Sequence, residues 1–331
     1  MATIACASII EQQRLRSSNF VIAQYIDLLC IVITFVTTYP AIQLVLNKSL
    51  FQWSTKMLIL ESLFFANLYQ IFYGIEAITI LYKHHFMTSD FCNIMQTESN
   101  CAPYLKVILG TTGGMIFAQT GLMIERTCAT FLASYRKRKS EIIGFSITII
   151  VFFCSSITGK LFIWDDPLDG MVLGCFILPK NSYKRYNTYF TVCTVLPLFN
   201  LGISILLKIY NTKLEYSSRF EVSARFQKRE VIDSTGTVCF LAFSLFILLF
   251  IYSVGVGALR HLLHENIISQ EDFNLCVVWL YTIPFIAMLL PLLLIYRIRR
   301  TRSNRIEMLI EFTKQKQSQE NHISQMKNMW S

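Results

Sequence analysis

Glu125 and Arg126 are the only adjacent opposite charges in a long apolar run from Tyr104 to Phe131. An acid beside a guanidinium near the end of such a run has no substrate-activating partner. What the two can do is pair, and a pair placed where hydrocarbon gives way to water can be made or broken as its surroundings change. The other polar residues of the run, Thr111, Thr112, Gln119 and Thr120, are small or uncharged, and Gly113, Gly114 and Gly121 let neighbouring helices approach closely. The run therefore predicts a membrane-spanning helix buried among others, with an acid–base pair near one end.

Four more ionisable residues fall at membrane depth: Asp27, Glu61, Glu76 and Lys106. Each is costly in lipid unless paired or wetted, which makes each a candidate functional group. Glu76 and Lys106 can pair across an outer cavity; alternatively Lys106 reaches back to the interface and Glu76 meets water. Around them Tyr73, Phe190, Thr194, Tyr252, Ser253 and Trp279 supply aromatic walls with sparse polar points, a composition suited to a small ligand. Packing is the commoner role of any single aromatic residue here.

Catalysis has no candidates. The chain carries no Gly-rich phosphate loop, no Cys-x-x-Cys pair and no Ser/His/Asp set that one topology would unite. His261 and His264 are spaced for one helical face, but with no acid at a matching depth they read as solvated loop, not a metal site. No metal or other cofactor is implied, and the last apolar run lacks a lysine for a Schiff base. The chain is not read as an enzyme.

These residues need a scaffold, and composition says which kind. Of 331 residues, 53% are hydrophobic and only 15% charged, too apolar for an ordinary soluble domain. The formal charge is +9, but the basic residues separate apolar runs instead of forming one stripe, so nucleic acid is excluded as a partner. Runs long enough to span fall at about 20–46, 57–81, 104–132, 142–163, 187–210, 235–259 and 275–296. The reading is an all-α, seven-transmembrane helix bundle with an N-terminal tail over 1–19 and a C-terminal tail over 297–331. The first residues lack the features of a cleavable signal peptide, so the first span is expected to direct its own insertion.

With the N-terminus outside, 21 of the 30 lysines and arginines face the cytoplasm, as the positive-inside rule requires. Residues 221–233 can extend span six inward as a charged helix, with Glu221 and Arg225, and Arg229 and Asp233, spaced i, i+4. A basic helix end there, including Lys228, is a docking surface for a protein or a collar facing lipid. Beyond Tyr296 the positions of Ile306, Leu309, Ile310 and Thr313 predict a short amphipathic helix on the inner leaflet, and a disordered end beyond Lys314. Of ten cysteines, Cys6, Cys92, Cys101 and Cys175 fall outside and permit three pairings. A Cys101–Cys175 bridge would tie span three to the second outer loop, leaving Cys6 to clip the N-terminal tail to Cys92.

Several stretches resemble the nematode serpentine receptor class alpha (Sra) family of chemosensory receptors. They are Ile124-Glu125-Arg126-Thr127-Cys128-Ala129-Thr130 and the segment from Ser223 to Thr235, and the four outer cysteines follow the family's pattern. The resemblance implies a G-protein-coupled receptor of the plasma membrane, often in sensory cilia, that takes a small environmental molecule and a heterotrimeric G protein as partners. It implies Glu125 and Arg126 as the activation switch, and the basic helix end with Arg225, Lys228 and Arg229 is then the expected G-protein contact. Unlike rhodopsin-like receptors, the pair is followed by Thr127 and not an aromatic, span six has no proline, and no asparagine precedes Pro291. A ligand-gated channel or transporter is the alternative, against which stand the charge bias and the absence of internal repeats.

The topology has a direct check. The single Asn-x-Ser/Thr sequon, Asn47-Lys48-Ser49, should stay unmodified in microsomes, whereas a sequon engineered into residues 165–170 should be glycosylated. A glycosidase-sensitive mobility shift for the native chain would invert the orientation.

Overall fold

The computed structural model describes residues 9–49, 51–87, 94–132, 137–177, 179, 182–217 and 222–330. A short helix, α1 (Ile9–Arg16), precedes α2 (Ser18–Gln43), which runs into a π-helical turn at Leu44–Lys48. Then come α3 (Trp53–Phe86), α4 (Glu98–Phe131), α5 (Lys137–Phe162), α6 (Tyr183–Ser217), α7 (Val222–His264), α8 (Gln270–Leu280) and α9 (Ile283–Trp330). Two short strands, β1 (Gln96–Thr97) and β2 (Met171–Val172), pair antiparallel between the helix ends.

Seven segments are long and apolar enough to cross a membrane, Ser18–Lys48, Trp53–Phe86, Glu98–Phe131, Lys139–Phe162, Arg185–Glu215, Lys228–His264 and Asp272–Glu307. They are spans one to seven. Most overshoot the apolar runs read from sequence. A helix of 34 residues such as α4 is about 50 Å long at 1.5 Å per residue, against about 30 Å of hydrocarbon. Its polar ends stand in water, where hydropathy gives no signal. At the start of α4 the Thr97 hydroxyl caps the Asn100 amide. At α8, Ser269 and Asp272 form a reciprocal capping box.

The final span departs from the expected single helix. It breaks at Tyr281 and Thr282, where Pro284, in the first turn of α9, has no amide proton to return to the Leu280 carbonyl and so cannot continue the ladder of α8. Thr282 turns its hydroxyl onto the Leu248 carbonyl of α7, 2.8 Å away. The tail departs in the opposite sense. In place of a separate amphipathic helix followed by a disordered end, α9 continues unbroken to Trp330. Residues 297–314 contain no glycine or proline to stop it.

Span three is the axis. Within its most apolar stretch 78% of residues are buried in the bundle, against 28% for spans four and six. It touches α3, α5, α6 and α7. Glycines on both sides of the contact with span four make this possible, Gly110 on α4 and Gly159 on α5. Ser155 of α5 donates to the Gly110 carbonyl at 2.6 Å, and a Cβ on Gly159 would stand 2.1 Å from the Lys106 carbonyl oxygen. Amide ties hold other neighbours to span three: Gln119 to the Val238 carbonyl of α7 at 2.9 Å and Asn200 of α6 to Thr120 at 2.9 Å; away from it, Gln70 of α3 reaches both Thr34 of α2 and the Pro284 carbonyl of α9 at 3.0 Å.

Because the Gly159 obstacle is backbone, Gly159→Ala must push spans three and four apart, at about 1–3 kcal/mol. Gly202 has nothing within 4 Å of its Cβ position, so Gly202→Ala should be neutral or stabilise the chain. Thermal unfolding in detergent micelles reads the difference; equal melting of the two variants would mean the crossing is looser than described.

Candidate functional site

Glu125 and Arg126 lie side by side at one end of α4, 0% and 1% exposed. The Arg126 Nε lies 2.5 Å from Glu125 Oε2, and Nη2 contacts the other carboxylate oxygen. Burying two charges in lipid costs several kcal/mol for each unless every remaining lone pair and proton is matched. Here the matching comes from three other spans. Ser54 donates to Glu125 Oε1 at 2.6 Å and Thr55 to Oε2 at 3.2 Å, both from the first turn of α3. The Ser54 proton is thereby committed, so in its 3.0 Å contact with Ser140 of α5 it is Ser140 that donates. Arg126 Nη2 donates to Thr55 Oγ at 2.5 Å and Nη1 to Ser234 Oγ of α7 at 2.6 Å. Ser234 can accept because its own proton goes to the Glu230 carbonyl, 2.8 Å away. One ion pair thus fastens spans two, three, four and six.

Further along the same end, Lys228 donates to the Leu214 carbonyl at 3.2 Å and Arg229 Nε to Glu215 at 2.7 Å, tying α7 to α6. Arg305 of α9 pairs with Asp233. Arg225 lies in α7, but its side chain falls outside the described residues, as do Cys6 and Cys92 entirely.

At the opposite end, Cys101 and Cys175 form a disulfide with Cα atoms 4.7 Å apart. Beneath it Tyr73, Tyr281, Tyr252 and Phe190 form a continuous chain of ring contacts across spans two, seven, six and five, at centroid distances of 5.7, 5.9 and 5.0 Å. Tyr69 and Tyr186 extend it at 5.5 and 4.4 Å. The phenols are partly spoken for: Tyr73 donates to Asp27 at 3.0 Å and Tyr69 to Tyr281 at 3.1 Å. Thr194 lies in the same layer with its hydroxyl on the Phe190 carbonyl at 2.8 Å. Rings fill this part of the core.

Two segments roof it. The loop carrying Leu173 and Cys175 is pinned to α3 by Lys83, which donates to the Leu173 carbonyl at 2.8 Å, and by Glu76, which accepts from the Cys175 amide at 2.8 Å. Phe176 from this loop leans on Tyr73 at 6.0 Å. From the other side α1 contributes Leu15, packed with Phe20, Ile80, Ile94 and Leu173, and His84 donates to the Leu15 carbonyl at 2.8 Å. Arg14 lies over the Phe20 ring at 5.1 Å. Burial pulls its guanidinium below the ordinary value, against the opposing effect of Glu11 and Tyr73.

Of the residues read from sequence, Tyr73, Phe190, Thr194 and Tyr252 come together, and Glu76 joins them at the rim. The Glu76–Lys106 pair is not made. Glu76 is 3% exposed and engaged by Cys175, while Lys106 is exposed on α4, because the loop amide reaches the carboxylate first. Trp279 also stands apart, 46% exposed. Sequence reasoning missed Tyr69, Tyr186, Tyr281 and Lys83 around the aromatic layer, and Ser54, Thr55, Ser140 and Ser234 around the ion pair. Short hydroxyl side chains carry no signal of their own in an apolar run. No group of three or more potential metal ligands occurs among the described residues.

Seven apolar helices closed around one buried ion pair, with a disulfide-anchored roof, define a multi-pass serpentine bundle of the membrane. A profile of the family described as "Serpentine type 7TM GPCR chemoreceptor Sra" matches residues 1–330. The chain belongs to this serpentine receptor class alpha family. It is 48% identical over 330 residues to serpentine receptor class alpha-8 of Caenorhabditis elegans, with 100% of both chains covered, and 48% identical over 331 residues to class alpha-6 of the same organism, again with full coverage. Class alpha-10 of Caenorhabditis briggsae is 32% identical over 299 residues, covering 90% of each. These relatives are named as receptors, a non-enzymatic class.

Removing one member of the pair strands the other. Glu125→Gln should cost about 3–5 kcal/mol by leaving Arg126 a buried cation without its carboxylate, and Glu125→Gln with Arg126→Gln should recover part of that. Melting of the purified variants tests this; a single variant as stable as the parent would show that the pair carries no structural weight.

Proposed function

We propose that this chain is a G-protein-coupled chemosensory receptor of the plasma membrane, in the cilium of a sensory neuron, with its N-terminus outside and the Arg126 end in the cytoplasm. A small environmental molecule binds in the aromatic layer. It does so by rearranging Tyr73, Phe190 and Tyr252, with Glu76 at the rim and Lys106 and Trp279 reaching the ligand only if their helices turn. A heterotrimeric G protein engages the end that carries Arg126, Arg225, Lys228 and Arg229.

The observation that carries this reading is the 2.6 Å bond from Arg126 to Ser234, which latches span three to span six at the end opposite the aromatic layer. Tyr252 and Ser234 lie on one proline-free helix, α7, eighteen residues or about 27 Å apart. A ring displaced at Tyr252 can therefore be felt at Ser234 as movement of a rigid rod. A ligand biases the equilibrium only by its preference for the unlatched form. A swing from 1:99 to 99:1 needs about 5.5 kcal/mol of that preference, whereas a charge-assisted hydrogen bond contributes about 1.5–3 kcal/mol. The latch sets the resting balance and does not make it irreversible.

Ser234→Ala should accordingly raise ligand-independent nucleotide exchange on a co-expressed G protein by roughly tenfold or more, at unchanged surface expression. Arg126→Gln should abolish the response to fractionated environmental chemicals. Exchange that both variants leave untouched would remove the switch, and a rapid current that survives blockade of nucleotide exchange would favour a channel.

A further inference from the structure

A cavity of about 60 Å³ opens where α2 ends and α7 and α9 leave the membrane. A water needs about 10–15 Å³ of such space, so the cavity has room for a few waters or one phosphate group. Its floor is apolar, formed by Phe51 and Ile298, and its rim carries Lys48, Arg302 and Arg305 with Glu230 and Asp233. Three cations face two carboxylates, and one of the carboxylates, Asp233, is already held by Arg305. Lys48 and Arg302 have no ion-pair partner among the described residues.

We propose that this cavity binds the phosphate of an anionic glycerophospholipid from the leaflet at the Arg126 end, held by Lys48 and Arg302. A free phosphate would satisfy the same cations. Two features favour the lipid. Lys48 is the last residue of span one and Arg302 lies within the exit of span seven, the depth at which headgroups sit, and the Phe51–Ile298 floor suits the glycerol end of an acyl chain. Basic clusters at this depth attract anionic lipid. A net-neutral choline lipid would bring its ammonium against Lys48 and Arg302. The bound phosphate shares Arg305 with Asp233, so lipid occupancy competes with the contact that joins α7 to α9. The leaflet's charge thereby acts on the same helix that carries Ser234.

The test uses the full chain in detergent micelles with equimolar phosphatidylserine and phosphatidylcholine, and counts retained lipid by native mass spectrometry. The wild-type chain should retain phosphatidylserine preferentially. Lys48→Gln with Arg302→Gln should lower that retention roughly tenfold, and the charge-matched control Arg299→Gln with Arg300→Gln, outside this cavity, should leave it unchanged. Equal retention by the first variant and the wild type overturns the site, and equal loss in both variants reduces it to general surface charge. Displacement of the lipid by millimolar inorganic phosphate would assign the cavity to a free anion instead.

Discussion

A charge cannot be left alone in a medium that offers no water, and the arrangement of this bundle at one end follows from that constraint. Arg126 has five donors and Glu125 four acceptor sites. Two adjacent residues on one helix cannot satisfy each other completely, so the remaining capacity is met by Ser54, Thr55 and Ser234. Those hydroxyls come from helices that must therefore stand at fixed distances from α4. The ion pair adds little net stability beyond what well-packed apolar side chains would give. What it adds is a specific set of partners, including one on α7 that can be released without stranding the carboxylate.

The opposite end is organised by shape instead of charge. Tyrosine rings from four spans fill the core, and a loop tied by a disulfide, a lysine and a glutamate closes over them. Both ends converge on α7, through Tyr252 at one and Ser234 at the other. Along its apolar stretch that helix is only lightly buried, 28% against 78% for α4, so it has less packing to lose than the central helix if it moves. The cavity lined by Lys48, Arg302 and Asp233 lies against the same element.

Much of this architecture is written in the order of residues. Composition and the spacing of apolar runs determined a seven-helix membrane bundle. The isolated Glu125-Arg126 pair marked the polar end of its central helix, and the stretches around that pair and before span six pointed to the Sra family. Each of these rests on local chemistry: a run of about 20 apolar residues has nowhere else to go, and a charge inside one has to be used. Tertiary structure alone decided which groups use it. That Cys175 and not Lys106 meets Glu76, that span seven breaks so Thr282 can reach Leu248, and that three hydroxyls, Ser54, Thr55 and Ser234, converge on one ion pair all depend on helix rotation and depth. Hydropathy carries no information about either, because lipid-facing and buried residues in a membrane span are equally apolar.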